Sequence, residues 1–295
     1  MAEGNGMNRR YLGSLYLGLA ASIWGGMYVV SKVVLQVIAP LELVWLRFVV
    51  ALVVLAVIGG VTRQSWRLRR RDIGLVLAIG VIGYVASIWA QFLGTQLSSA
   101  QMGSLITSAT PAFMVVFARL LLGERITGKK ALSVALATFG VLLIVGLGNV
   151  SPSYRLGGLV LAVAALTWAL MSVLVKRVSE GCSLIVVTTY AMLVATVIIS
   201  PAALPHMNTV ILTVLSRPVL WAGVLYVGIV STAGAFFLWN KGLQMVDAAT
   251  GGLYFFFQPL VGTLLGWLVL GEQVGLAFWA GAGLILAGVA LAIRE

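Results

Sequence analysis

Ten apolar runs, each about long enough to cross a bilayer, fill almost the whole chain. They lie at about 13–36, 42–62, 73–96, 98–122, 131–148, 156–179, 183–204, 219–244, 246–270 and 276–293. A hydrocarbon core about 30 Å thick is spanned by roughly 20 apolar residues in a helix. The runs are long and lack period-two alternation, which selects helices over a β-barrel. Composition excludes the soluble alternative: 61% of the 295 residues are hydrophobic and 9% charged, against about 25% charged in a soluble domain. The links are a few residues each, apart from Arg63–Asp72, Asn149–Arg155 and Pro205–Pro218, so no soluble domain fits between runs. The first run continues through Trp24 and Tyr28 to Lys32 without a small-residue cleavage site, which reads as a span and not a cleaved signal peptide. Residues 1–10, MAEGNGMNRR, read as a polar leader expected to be disordered.

The formal net charge is +11, yet its placement points to topology and not to nucleic acid. Arg9, Arg10, the cluster Arg63, Arg67, Arg69, Arg70 and Arg71, then Arg125, Lys129, Lys130, Lys176, Arg177, Lys241 and Arg294 thread to one side. The other side receives only Arg155, Arg217 and Lys32. The positive-inside bias then predicts a multi-pass protein of a bacterial inner membrane with both termini cytoplasmic. The stretch RQSWRLRRRD also suits anionic lipid heads.

The chain repeats itself. WGGMYVVSK (Trp24–Lys32) matches WALMSVLVK (Trp168–Lys176) at an offset of 144, and FLGTQLSSAQMG (Phe92–Gly103) matches NKGLQMVDAATG (Asn240–Gly251) at 148. The second offset holds through Pro111/Pro259, Gly123/Gly271 and Glu124/Glu272 to Gly140/Gly288. Each half holds five helices, and because five is odd the second half crosses in the opposite sense. The expected fold is all-α: ten transmembrane helices as two inverted five-helix repeats around a central cavity. The first repeat covers 11–148, a linker 149–155, and the second repeat 156–295. Inverted repeats with interrupted helices are an architecture of secondary transporters, with the substrate site between the halves.

On these marks the chain resembles the ten-helix EamA class of the drug/metabolite transporter (DMT) superfamily. The matching residues are Trp24-Gly25 with Lys32, Pro40 with Arg47, Gly94, Ala100, Pro111 and Gly123-Glu124-Arg125, then Gly242, Ala248, Pro259 and Gly271-Glu272. Its richness in Trp, Tyr and Phe is similar to that of YddG-type aromatic amino-acid exporters. The resemblance implies export of small metabolites from the cytoplasm through a central cavity: aromatic or hydrophobic amino acids first, planar cationic drugs second.

Several residue types suit such a cavity. Pro111 frees the Thr107 carbonyl and Pro259 the Phe255 carbonyl. Gly103, Thr107 and Pro111 share one helix face, as do Gly251, Phe255 and Pro259. These faces are expected to line the cavity and flex, or else to serve packing alone. Trp24, Tyr28, Tyr84, Trp168, Trp239 and Tyr254 offer faces for a planar or cationic group, the alternative being anchors at the lipid interface. Gln91, Asn240 and Gln258 carry amides that donate and accept, for a zwitterion or for bonds between helices. Arg47, about one turn inside the second run, is expected to snorkel or to bond carbonyl ends rather than meet substrate. Lys32 and Lys176 occupy matched positions at opposite ends, for packing or gating.

Glu42, Glu124, Asp247 and Glu272 lie near helix ends, so a central carboxylate proton relay is hard to build. Lone Cys182 and lone His206 offer no metal cluster, and no GxxxxGKS/T loop calls for a nucleotide; no cofactor is implied. A sugar-phosphate carrier of the same fold would favour a cationic cavity. A membrane enzyme on a lipid-linked substrate would need an interfacial cluster of His, Asp, Glu or Cys. A passive channel would not saturate. The expected partners are a small-molecule substrate and membrane lipids, with the protein working as a monomer.

Overall fold

The computed structural model describes residues 2–146, 151–179, 181–246, 251–272 and 275–293. Asp247, Ala248 and Arg294 lie outside the described residues. Within them the chain is helical and without strands. Ten helical segments follow one another: α1 (Ala2–Val34), α2 (Pro40–Val61), α3 (Arg70–Leu97), α4 (Ala100–Leu122), α5 (Gly128–Gly146), α6 (Pro152–Lys176), α7 (Leu184–Ser216), α8 (Pro218–Leu243), α9 (Phe257–Leu270) and α10 (Leu276–Ile293). Seven of them (α1 from Tyr11 onward, α2, α3, α4, α6, α7 and α8) are long and apolar enough to span a membrane alone. The 19 residues of α5 reach about 28 Å at 1.5 Å per residue.

Two expectations are corrected. The leader is helical from Ala2 and continues α1, since no proline interrupts the register between them. The stretch from Pro205 to Pro218 is not an open loop: a short 3₁₀ turn, Leu204–His206, leads into helix over Met207–Ser216. Pro205 stands at the start of that turn, where its missing N–H leaves no bond unmade. His206 there is exposed, with Nδ1 3.5 Å from a Glu42 carboxylate oxygen.

The two halves share irregularities as well as sequence. In α3 the backbone widens into a π-helical stretch at Ile79–Ser87, and in α8 a stretch of the same nine-residue length falls at Tyr226–Gly234. Such wide turns are rare and gather at functional sites. α4 and α9 both end on a left-handed glycine, Gly123 at φ 71° and Gly271 at φ 64°. At each, the glycine N–H and the following glutamate N–H both reach back to one carbonyl, Ala118 in α4 and Gly266 in α9. A residue with a Cβ is disfavoured in that conformation.

Packing follows the same exchange. α1 lies against α8 and α9, while α6 lies against α3 and α4. α2 packs on α7 and on the wide turn of α8; α7 packs on α2 and on the wide turn of α3. α5 and α10 pair with each other. Swapping each helix of one half for its counterpart leaves this pattern unchanged, as two inverted five-helix repeats about a pseudo-two-fold require. The axis passes through the meeting of α1, α3, α4, α6, α8 and α9.

Nothing stands within 4 Å of a Cβ built at Gly123 or Gly271, so alanine at either place strains the backbone alone. Gly123→Ala and Gly271→Ala are each expected to lower stability by about 1 kcal/mol, by equal amounts, read as thermal unfolding of the purified protein in detergent.

Candidate functional site

At the centre lies a pocket lined by Trp24 and Met27 of α1, Arg47 of α2, Ser87, Ile88 and Gln91 of α3, and Thr107 and Thr110 of α4. Ala164, Ala165 and Trp168 of α6, Phe236 of α8, Phe255 in the turn before α9 and Gln258 of α9 complete it. The helices of both halves thus meet around one space of about 20 Å³, room for roughly one water.

Aromatic rings make its wall. Trp24 stands 5.5 Å from Trp168 edge-on, 5.8 Å from Phe236, 5.2 Å from Trp239 and 5.6 Å from Phe255, nearly parallel to the last. Phe236 also stacks on Tyr84 at 5.3 Å and meets Trp168 at 5.2 Å. The Trp24 indole N–H donates to the Ser231 carbonyl at 2.9 Å, which belongs to the wide turn of α8. Each such ring pair contributes about 0.5–1.5 kcal/mol beyond its buried area.

Below the rings a hydrogen-bonded chain joins four helices. The Gln91 amide donates to the Tyr28 hydroxyl. Tyr28 and Thr107 hydroxyls meet at 2.7 Å, and Thr107 reaches Gln258 Oε1 at 3.0 Å. The network ties α3, α1, α4 and α9 together, with the Gly103 carbonyl, 2.7 Å from the Thr107 hydroxyl, sharing that hydroxyl's single proton with Gln258. Gly103 permits it: a Cβ there would lie 2.6 Å from the Tyr28 ring. The helix break beside the chain is sealed locally. α4 is interrupted between Thr107 and Thr110; the Thr107 carbonyl, which Pro111 leaves without a helical donor, takes the Thr110 hydroxyl at 2.6 Å.

Arg47 overturns an expectation. It does not snorkel; it is 0% exposed and lines the pocket. α2 begins at Pro40, so Arg47 sits about 10 Å into the helix at 1.5 Å per residue, beyond the reach of either interface. Its Nε donates to the Thr232 hydroxyl at 2.7 Å, and Nη1 lies 3.6 Å from the Met27 sulfur. The guanidinium carbon is 5.0 Å from the Phe92 ring centre, 5.7 Å from Phe236 and 5.9 Å from Phe48. Ring faces offer a cation about 0.5–2 kcal/mol each, against a burial penalty of several kcal/mol per ion. No Asp or Glu is among the pocket-lining residues. Nη2 of Arg47 and the indole N–H of Trp168 are buried without a hydrogen-bond partner.

Of the residues singled out from sequence, Trp24, Gln91, Thr107, Trp168 and Gln258 line the pocket; Tyr28 bonds to two of them, and Tyr84 and Trp239 form the next layer of rings. Asn240 is held elsewhere, donating to Thr188 at 3.1 Å. Tyr254 faces away and stacks on exposed Phe257. The turn Leu253–Phe256 is 3₁₀, which resets the facing of its residues and turns Phe255 inward instead. Pro259 and Gly251 pack outside the pocket: Pro259 lines an apolar cleft with Trp267 and Trp279, and a Cβ on Gly251 would meet Leu243. Phe255, expected on a cavity-lining face, lines the pocket, whereas Arg47 and Phe236 are the principal residues sequence reasoning did not place here. The depth of Arg47 below Pro40 was the available signal.

Charged side chains satisfy the helix ends at the α3–α4 turn. Lys32, at the end of α1, donates to the carbonyls of Thr95, Gln96 and Ser98 at 2.9, 3.1 and 2.5 Å, where α3 ends. Glu272 accepts from the Ala100 and Gln101 N–H groups at 3.0 and 3.1 Å, where α4 begins. A cation at a helix C-terminus and an anion at an N-terminus both match the helix dipole. The repeat-related Lys176 donates to the Val246 carbonyl at 3.2 Å, the position matched to Ser98.

A family model described as the EamA-like transporter family matches residues 11–146 and 155–294. The chain belongs to the EamA-like transporter family. Relatives are transporters and not enzymes. An uncharacterized transporter of Archaeoglobus fulgidus is 26% identical over 285 residues, covering 95% of this chain and 98% of the relative. An S-adenosylmethionine/S-adenosylhomocysteine transporter of Chlamydia muridarum is 28% identical over 291 residues, covering 94% of this chain and 90% of the relative. A crystal structure of another protein superposes with a TM-score of 0.70 at 23% identity, covering 96% of each chain, and supports the fold. This EamA-like protein is therefore a multi-pass membrane transporter.

The buried hydroxyls separate bonded from unbonded groups. Thr232 holds Arg47, whereas the Thr263 hydroxyl has no partner. Thr232→Val is expected to destabilise by about 1–3 kcal/mol, because it strips a second guanidinium nitrogen, while Thr263→Val stays near neutral. Thermal unfolding of both variants in detergent checks this.

Proposed function

We propose that this EamA-like protein exports small metabolites, aromatic or hydrophobic amino acids above others, by alternating access through the central pocket. The observation that carries this reading is the ring wall of Trp24, Trp168, Phe236 and Phe255, contributed by both halves around a single space. Aromatic faces at 5–6 Å from one another offer a planar side chain a slot to enter when the halves part. The solutes named for the Chlamydia relative also join an amino-acid end to a planar base. Trp24, Tyr28, Gln91, Thr107, Trp168 and Gln258 serve as the substrate-facing set. Tyr84 and Trp239 support it, and the break at Thr107–Pro111 serves as the flexing point.

The positive charge of Arg47 speaks against planar cationic drugs. A sugar phosphate finds a single cation here within walls that are otherwise apolar and amide. The arginine distribution orients the chain with both termini in the cytoplasm of an inner membrane, and fused inverted halves allow it to work as a monomer. Since no carboxylate lines the pocket, transport proceeds without a central acidic proton relay.

Counterflow of labelled phenylalanine, tyrosine, tryptophan and leucine into proteoliposomes tests this reading. Saturable exchange of the aromatic solutes is expected. Trp24→Ala and Trp168→Ala should each reduce it about tenfold or more, the loss of roughly 1.4 kcal/mol of ring contact. Unchanged exchange in both variants would defeat the site assignment. Uptake measured with and without an imposed pH gradient should differ by less than about twofold if no carboxylate relay operates.

A further inference from the structure

We propose that the central pocket recognises its solute by a carboxylate, which Arg47 Nη2 and the Trp168 indole N–H receive together, and that an α-amino group is not required. The inference rests on the central pocket being the transport site, and it names the chemical feature that site reads.

Two observations converge. Arg47 is fully buried, lines the pocket, and keeps one guanidinium nitrogen without an acceptor. Trp168 lines the same pocket, and its indole N–H is also buried and unbonded. Buried donors are ordinarily paired, so two orphan donors lining one cavity suit an acceptor-rich group. Their neighbours do not supply it. Thr232 already takes Arg47 Nε, and no acceptor lies within hydrogen-bond reach of Arg47 Nη2 or the Trp168 indole N–H. Phe236 lies 5.2 Å from the Trp168 ring and 5.7 Å from the guanidinium carbon, so both donors border one ring. A planar guanidinium matches a carboxylate in geometry as well as charge.

The amino end of a zwitterion finds ring faces and amide oxygens but no charged partner. No acid lines the pocket, and the nearest formal charge to an arriving ammonium is the like charge of Arg47. The solute class that fits is an organic carboxylate with a planar apolar body: carboxylate toward Arg47 and Trp168, ring among Trp24, Phe236 and Phe255.

The test is binding to the purified full-length protein in detergent, read by thermal stabilisation and by quenching of tryptophan fluorescence. The probes are L-phenylalanine, 3-phenylpropionate, L-phenylalaninamide and 2-phenylethylamine. The two carboxylates are expected to bind within about tenfold of each other, and the amide and the amine at least about tenfold more weakly. Trp168→Phe, which keeps a ring and removes the N–H, should narrow the preference for carboxylates. Arg47→Gln should abolish it, and Arg47→Lys should retain part. The comparison of four probes on the unaltered protein stands even where an Arg47 variant fails to fold. Binding of all four with similar affinity, or tighter binding of the amine, overturns the carboxylate anchor while leaving an aromatic transport site in place. Tighter binding of phenyl phosphate than of 3-phenylpropionate also overturns it. Binding of none of the probes overturns it together with the reading on which it rests.

Discussion

Lipid offers no hydrogen bonds, so every backbone group released inside the bilayer must find a partner within the protein. That constraint explains most irregular features of this EamA-like transporter. α4 breaks beside Pro111, and the hydroxyl of Thr110 takes the carbonyl so released. α8 widens, and the carbonyl of Ser231 accepts the indole of Trp24 from α1. α3 ends at a partly exposed turn, and the ammonium of Lys32 gathers its last carbonyls. Each repair comes from a side chain whose position the repeat already determines, so the breaks and their partners form one system.

The centre of the molecule combines two kinds of surface that rarely share a site. Ring faces exclude water and suit an apolar body. A guanidinium among those rings carries a full charge without a carboxylate near it. In water the rings would be adhesive and the charge unremarkable; in the bilayer the rings lower the penalty for the charge through their electron-rich faces. Phe236 belongs to both surfaces, since it touches Trp24, Tyr84 and Trp168 and also lies under Arg47. The pocket therefore joins the hydrophobic wall and the positive group in one surface.

Much of this was legible before any coordinates. Segment length and the near absence of charge reveal ten crossings, and a constant offset of 148 pairs Pro111 with Pro259 and Gly123 with Gly271. The match of Trp24 with Trp168 marks them as a repeat-related pair, and both line the central pocket. Finer angular facts were hidden. A π turn leaves no mark in composition, yet it rotates all that follows it in α3 and α8. Of the two neighbouring aromatics expected at the cavity, the 3₁₀ turn at Leu253–Phe256 keeps Phe255 at the pocket and leaves Tyr254 out, a difference of facing alone. Arg47 was misplaced in depth: counting from Glu42 instead of Pro40 left it near the interface, where a long cationic side chain escapes to water.

The lysines at the ends of α1 and α6 carry a consequence for energetics. Lys32 and Lys176 grip corresponding carbonyls, Ser98 and Val246, on opposite faces of the membrane. Each contact lies within a single half, so each ammonium braces its own five-helix repeat as a unit, whereas Glu272 reaches across to the start of α4 and ties one half to the other.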